Sequence, residues 1–472
     1  MIFLIELWMQ TACTYRPHDV VEVAAFPEIF PDYIGVTIPV EIAPLNFSMM
    51  DESVTTVDVE IRGEKGGTLH ANGAYADFEM DCWRELLKKN QDSKLMVSVC
   101  AEKEGRWKKY RDFEIHVSHY PLDEWGITYR RVAPGYQMYG HMGIYQRNLS
   151  TFEEKVILDN KHLDGGCVNC HTANRGNPDD FVLHVRSENG GTILGHKGKT
   201  DVLASINDSL GGAMVYPYWH PKGRFIAFST NKTSQLFHSG QNKRIEVYDG
   251  KSDVFVYDTE SHATLRDTLI MKKYWAENCP AFSPDGKWLY FTTAKRQSYP
   301  QNYDKERYYL CRVSFDESTG KIGNEVDTLI NAQETRKSVT WPRPSYDGRY
   351  IMYTQLDYGY FSVWHPEAEL WLLDLKKGES RCMDEVNSES SESLHNWNNN
   401  SHWFFFTSRR DDGLYTQIYF SSLDEYGKAT KPFLLPQQNP KRYYHRLLYS
   451  FNTPDFISQP VKVNLEDNTL SL

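Results

Sequence analysis

Between about Val20 and Ser118 apolar and polar positions alternate with period two in short runs. The clearest are Val54-Thr55-Thr56-Val57-Asp58-Val59-Glu60-Ile61, Leu95-Met96-Val97-Ser98-Val99 and Phe113-Glu114-Ile115-His116-Val117. Such alternation turns one side-chain face inward and the other to water, so it predicts half-buried antiparallel strands. One stretch breaks the period: Met80 to Lys89 sets Trp83, Leu86 and Leu87 on one face of a short helix, with Trp83 read as core. No chemistry is legible in this region.

After Pro121 the pattern changes. Four segments repeat a polar turn followed by a wholly apolar run: Trp219-His220-Pro221-Lys222-Gly223-Arg224-Phe225-Ile226-Ala227-Phe228, Phe282-Ser283-Pro284-Asp285-Gly286-Lys287-Trp288-Leu289-Tyr290-Phe291, Pro344-Ser345-Tyr346-Asp347-Gly348-Arg349-Tyr350-Ile351-Met352-Tyr353, and Trp397-Asn398-Asn399-Asn400-Ser401-His402-Trp403-Phe404-Phe405-Phe406. The turn chemistry supplies a reversal and the apolar run supplies a strand buried on both faces. The turn residues Gly223, Gly286, Gly348 and Ser401 lie 63, 62 and 53 positions apart, and each copy is followed by a second strand, as at Val254-Phe255-Val256-Tyr257-Asp258. Strand-only repeats at a nearly fixed period predict radial repetition, because one such unit cannot bury both of its faces alone.

These segments resemble the propeller repeats of the TolB family, with its Ser-Pro-Asp-Gly-x-x-Ile/Leu-x-Phe signature, over roughly Tyr129 to Pro440. Two degenerate units, Gly143 to Leu149 with Lys155 to Leu158 and Phe181 to Arg186 with Gly191 to Leu194, bring the count to six blades, which is also what the resemblance implies. The expected fold is therefore all-β: an immunoglobulin-like sandwich over residues 20–120, a six-bladed propeller over 121–445, and a C-terminal tail over 446–472.

Composition narrows the function. The chain has 472 residues, 52 Lys and Arg against 63 Asp and Glu, and a net charge of −11, which argues against nonspecific nucleic-acid binding. The first residues, MIFLIELWMQTAC, read as the apolar part of an export signal, and Thr11-Ala12 before Cys13 resemble a lipoprotein cleavage box with Cys13 as the lipidated residue. A segment over 1–19 that directs the chain to a bacterial envelope, periplasmic or lipid-anchored at the outer membrane, is the expectation, with membrane contact through that anchor alone. A plain N-terminal segment is the alternative. No Gly-Xaa-Ser-Xaa-Gly elbow and no Gly-rich phosphate loop is present, so hydrolase and nucleotide chemistry have no support.

One motif carries chemistry. Cys167-Val168-Asn169-Cys170-His171 has the CxxCH spacing of c-type haem attachment, two thiols for the vinyl groups and an imidazole for iron. With the TolB-like repeats around it, the chain resembles exported propeller proteins that carry this haem-type motif. The resemblance implies covalent haem c on Cys167 and Cys170, with His171 binding iron. A remnant motif, a disulfide loop, or a metal site with a distant ligand are the other readings; the second CxxC or HxxxH pair that zinc would bring is missing. Of the remaining cysteines, Cys82 and Cys100 could close a loop in an oxidising compartment, but these two with Cys279, Cys311 and Cys382 read more simply as small buried residues.

Aligning the repeats places Cys170-His171 in one column with Tyr216-Pro217, Cys279-Pro280, Trp341-Pro342 and Leu394-His395, before the inner strand of each blade at one mouth of the channel. Met214 ranks first as sixth iron ligand and His395 second; Met138, His141 and Met142 follow. His220 and His365 read as turn residues. The run Asn387 to Ser393 reads as a solvated loop, and Arg409-Arg410-Asp411-Asp412 as a hairpin turn whose charges pair locally. Two functions follow: a monohaem cytochrome-like electron carrier working with an envelope redox partner, or a haem-free binding or scaffold module whose rim of Trp219, Trp341, Trp364 and Trp397 meets a protein or a glycan. A haem enzyme with an open sixth position is a third.

Overall fold

The structure is a computed structural model that describes residues 16–133, 140–163, 166–186, 190–203, 213–238, 243 and 245–462. Cys13 and Met138 lie outside the described residues.

The period-two runs form strands as their pattern requires. Val54–Gly63, Thr68–Gly73, Ser93–Lys103, Arg106–Lys109 and Phe113–Val117 join Val21–Glu22 and Thr37–Ile38 in one seven-stranded sheet. The expected sandwich takes the form of this sheet, a two-stranded ladder of Ile29–Phe30 with Ser48–Met49, and the helix Met80–Lys89. The helix starts where the Glu79 carboxylate accepts the Cys82 amide (2.7 Å) and carries Lys88 and Lys89 in its last turn, both favourable to the helix dipole. Trp83 is fully buried and its Nε1–H is satisfied by Ile42 O at 3.0 Å.

Six four- or five-stranded sheets follow, each antiparallel throughout. The inner strands of blades 2 to 6 are Cys167–Asn174, Ala213–Trp219, Trp275–Phe282, Ser338–Pro344 and Glu392–Trp397. Blade 1 is built from both ends of the propeller. Gly126–Val132, Met142–Asn148 and Glu154–Asp159 supply its outer three strands, and Ser450–Ile457 pairs with Gly126–Val132 to supply the inner one. Residues expected to be tail thus close the ring, and the propeller does not end at 445. The helix Pro440–Leu447, with Asn439 as its N-cap, carries the chain to that strand.

The turns explain the repeat. In blade 4 Ser283 Oγ donates to Asp285 Oδ1 (2.6 Å) and accepts from Trp288 N (3.0 Å), and Asp285 Oδ1 accepts from Lys287 N (3.1 Å). Blade 5 repeats the set with Ser345, Asp347, Arg349 and Tyr350. The turn needs a left-handed residue, supplied by Gly286 (φ +73°) and Gly348 (φ +74°). His220 performs the same task in blade 3, its Nδ1 accepting from Lys222 N at 3.3 Å.

The N-terminal region shares its apolar core with blades 1, 5 and 6. Trp403 Nε1 donates to Tyr120 O (3.1 Å), Asn46 Nδ2 to Gln438 O (2.9 Å), and the Tyr120 and His402 rings stack. Among the described residues no helix is long and apolar enough to cross a membrane.

Two polar stretches differ from expectation. Ser391, Glu392 and Ser393 are buried, and Glu392 accepts from Ser388 Oγ (2.6 Å), Ser408 Oγ (2.9 Å) and Arg410 Nη2 (2.9 Å). Arg409 turns inward, its Nε donating to Val363 O (2.8 Å) with its guanidinium over the Trp364 ring. The local charge pattern resembled surface; the neighbouring blade supplies partners that make burial tolerable.

Candidate functional site

Each inner strand carries the same defect. Cys170, Tyr216, Cys279, Trp341, Leu394 and Thr453 all have positive φ, between 40° and 55°, and the ladder slips in register at each. A bulge of this kind re-aims the side chains on either side of it toward the axis. The column read from the repeats is therefore real, and it gains a sixth member, Thr453-Pro454, from the closing strand.

Around the axis the channel holds two adjoining cavities of about 420 and 430 Å³ that share Thr172, Tyr218, Asn396 and Asp455. The first is also bordered by Cys170, His171, Tyr216, Trp341, Arg343, His395 and Thr453. The second opens toward the turns, past Arg175, Pro221, Pro284 and Tyr346. Beyond Tyr216 and Trp341 the channel is plugged by Phe361, Val363, Trp364, Cys279 and Leu394 in apolar contact.

Asp455 is buried and ties three blades together, Oδ2 accepting from Thr172 Oγ1 (3.0 Å) and Ala173 N (2.8 Å), Oδ1 from Asn396 Nδ2 (2.8 Å). Burial pushes its carboxyl up to about 6 against these bonds. Arg343 is 5 % exposed. Its guanidinium lies over the Trp341 ring at 4.0 Å and 5.2 Å from that of Tyr218, and Nη1 donates to Pro342 O (3.0 Å). His395 is buried; its Nε2 donates to Met352 O (3.0 Å), its Nδ1 has no partner, and burial lowers it to about 3.

The haem-type motif divides. His171 borders the central cavity and also a third, apolar cavity of about 430 Å³ between blades 1 and 2, walled by Ile144, Ile157, Phe181 and Leu183. Its Nε2 lies 3.0 Å from Thr128 Oγ1, its Nδ1 is closed in without a partner, and burial lowers it to about 4. Cys170 borders only the central cavity, and burial pushes its thiol up, opposed by Arg186, the Tyr216 backbone and Arg130. Cys167 borders none of the three; its Sγ accepts from Arg130 Nη2 at 3.3 Å, the same group that reaches Met142 Sδ at 3.4 Å. A c-type haem needs both sulfurs and the imidazole to open on one volume; here Cys170 and His171 share the central cavity, and Cys167 borders none of the three cavities. With Cys167 Sγ turned to Arg130 and away from that cavity, the three groups as placed do not fit one covalently attached haem.

The other sequence candidates scatter. Met214 is fully buried in the apolar core between blades 2 and 3, with Val182, Trp219 and Phe228, and is not brought to His171. His395 does share the central cavity with His171, as its column predicted. His141 pairs with Asp159 (2.6 Å). The four tryptophans form no rim: Trp397 is core, its Nε1 donating to Arg343 O (2.9 Å), Trp219 and Trp341 line the channel, and Trp364 stacks under Arg409. All seven described cysteines are free. Among the described residues no group of three or more His, Cys, Asp or Glu side chains is placed to hold a metal ion.

The polar lining lies one residue beyond the column legible in the repeats. The residue after each Pro or His of the column, two past the bulge, is Thr172, Tyr218, Ala281, Arg343, Asn396 or Asp455, and all but Ala281 border the two central cavities. Alternation along a strand puts positions i and i+2 on one face, so the same alignment, extended by one residue, would have found them.

No family model matches the sequence, and no curated protein matches it. Among solved structures the chain is similar to TolB from Acinetobacter baumannii (11 % identity, 77 % of this chain and 79 % of that one, TM-score 0.44). It is also similar to the β-propeller domain of Cps50 (Swd1) from Myceliophteria thermophila (11 %, 78 % and 96 %, TM-score 0.38) and to a puromycin-hydrolyzing peptidase of Mycobacterium tuberculosis (10 %, 88 % and 57 %, TM-score 0.38). The assignment of this chain as an all-β, six-bladed propeller rests on its own strand pairing.

Proposed function

We propose that this protein is a propeller-based binding protein of the bacterial envelope that holds a small molecule in its central channel. The observation that carries this reading is the cavity itself. Residues of all six blades border the two adjoining spaces at the axis, which end in apolar packing on one side and are bordered by Arg175 and Tyr346 on the other. Their polar members include a buried cation, a buried carboxylate and an imidazole with a free ring nitrogen, which are groups that orient a ligand. The export-type opening segment supports placement in the envelope.

Mass spectrometry of the exported chain, produced with haem-maturation machinery present, tests this. The expected result is a non-covalent adduct under native conditions that is lost on denaturation and missing from Ala173→Phe, whose ring takes up cavity space. A covalent haem adduct that survives denaturation and disappears in Cys167→Ser/Cys170→Ser would replace this reading with an envelope electron carrier. The same adduct in wild type and Ala173→Phe would move the site elsewhere.

A further inference from the structure

Arg343 is a feature of the channel that the fold does not explain. It lies on the inner strand of blade 5, almost fully buried, with its guanidinium over the Trp341 ring. Among the described residues its one hydrogen bond is to its neighbour's carbonyl, Pro342 O, and no carboxylate lies within ion-pair distance of it. A guanidinium has five N–H donors, and a buried cation without a counter-charge is costly.

The groups that face Arg343 supply no ion pair in contact with it. Burial pushes the Cys279 thiol up to about 11 and the Tyr218 phenol up to about 12, so both are neutral near pH 7, and Tyr346 is raised further still. Asp455 attracts Arg343 through space but lies beyond ion-pair distance, both of its oxygens accepting instead from Thr172, Ala173 and Asn396. The guanidinium, a planar fork of N–H groups bordering the cavity, therefore has no anion in hydrogen-bond contact. Such a fork matches a carboxylate in two parallel hydrogen bonds. Arg175, exposed at the channel's turn end with its guanidinium over the Tyr346 ring at 5.0 Å, adds positive charge along the way in.

We infer that Arg343 anchors a small organic carboxylate in the central cavity, its apolar part lying against Trp341 and Tyr218. This rests on the small-molecule reading above and adds the chemical class of the ligand.

The test uses the full chain, calorimetric titration and three probes: benzoate, its neutral isostere benzamide, and inorganic phosphate. Benzoate is expected to bind saturably, with roughly ten- to a hundredfold weaker binding to Arg343→Met, the range of a charge-assisted hydrogen bond. Arg343→Lys, which keeps the charge and loses the fork, is expected to lose most of the affinity as well. Cooperative melting of each variant without probe separates lost binding from lost folding, and Lys serves if Met does not fold. Equal binding of benzoate and benzamide, unchanged in both variants, overturns the carboxylate assignment and leaves the binding-protein reading standing. Phosphate binding more tightly than benzoate also overturns it, in favour of a phosphate ligand. No binding of any probe to wild type, together with no native adduct, removes both readings.

Discussion

The turn at Gly286 offers a sharp test of how neighbouring blades hold each other. Gly286 has φ +73°, and a Cβ built there would lie 2.3 Å from Nε2 and 2.7 Å from Cε1 of His220 in blade 3. His220 cannot retreat easily. It is fully buried, edge-on to Phe282 and Phe225 at 5.0 and 5.9 Å, and its Nε2 donates to Gly286 O at 3.2 Å. Gly286→Ala thus adds about 1 kcal/mol for the left-handed backbone, about 1–3 for displacing a packed ring, and about 1 for the hydrogen bond. Gly348 occupies the same turn in blade 5 with φ +74°, but its added Cβ would meet nothing nearer than Pro284 Cγ at 3.5 Å. Gly348→Ala is expected to cost only the backbone share, about 1 kcal/mol. Equilibrium urea unfolding followed by tryptophan fluorescence compares the two on a common m-value. The expected gap is about 2 kcal/mol or more, shrinking in a His220→Ala background where the clash partner is gone. Equal losses within about 0.5 kcal/mol would refute the idea that the His220 contact couples these blades.

Three other outcomes follow from the same packing. His395 and His171, lowered by burial to about 3 and about 4 from an ordinary 6.5, bind fewer protons folded than unfolded; the stability they contribute is present above pH 6.5 and falls as pH drops toward 4, by up to about 3 kcal/mol for His395. Asp455, raised to about 6, works in the opposite direction between pH 6 and 4, so the readout is the flatter acid limb of His395→Gln against wild type in pH-dependent urea melts. Ending the chain at Tyr449 removes the inner strand of blade 1 and leaves the edge of Gly126–Val132 unpaired; cooperative thermal unfolding is expected to be lost, and a wild-type transition by circular dichroism would show that closure is dispensable. Arg147, fully buried, donates to Asn148 O (3.2 Å), Thr151 O and Pro436 O (2.7 Å); Arg147→Met strands these carbonyls and is expected to cost about 2–4 kcal/mol in urea unfolding, where a loss below about 1 would mean that other donors replace it.

Local patterns in the chain were enough to determine most of the elements. Alternation at Val54 to Ile61, the helical face at Met80 to Lys89, and Ser-Pro-Asp-Gly followed by Trp288 to Phe291 each specify a structure whose energetics are settled within a dozen residues. Repetition of the last pattern determined the propeller and even the column of channel residues, because blades related by rotation put equivalent residues at equivalent radii.

Tertiary structure alone decided what those residues do. Ser450–Ile457 is a blade's inner strand only because Gly126–Val132, more than three hundred positions earlier, has an open edge there. Met214 and His395 flank the same column, yet one falls into an inter-blade core and the other onto the axis, since side chains alternate about each bulge. The CxxCH spacing says that two thiols and an imidazole are near in sequence, and the strand that carries them turns Cys170 and His171 to the central cavity but Cys167 to Arg130. The same geometry gathers Arg343, Asp455 and Asn396 from three blades around one cavity. A buried guanidinium there without a paired charge is a property of the closed ring, and no stretch of the chain contains it.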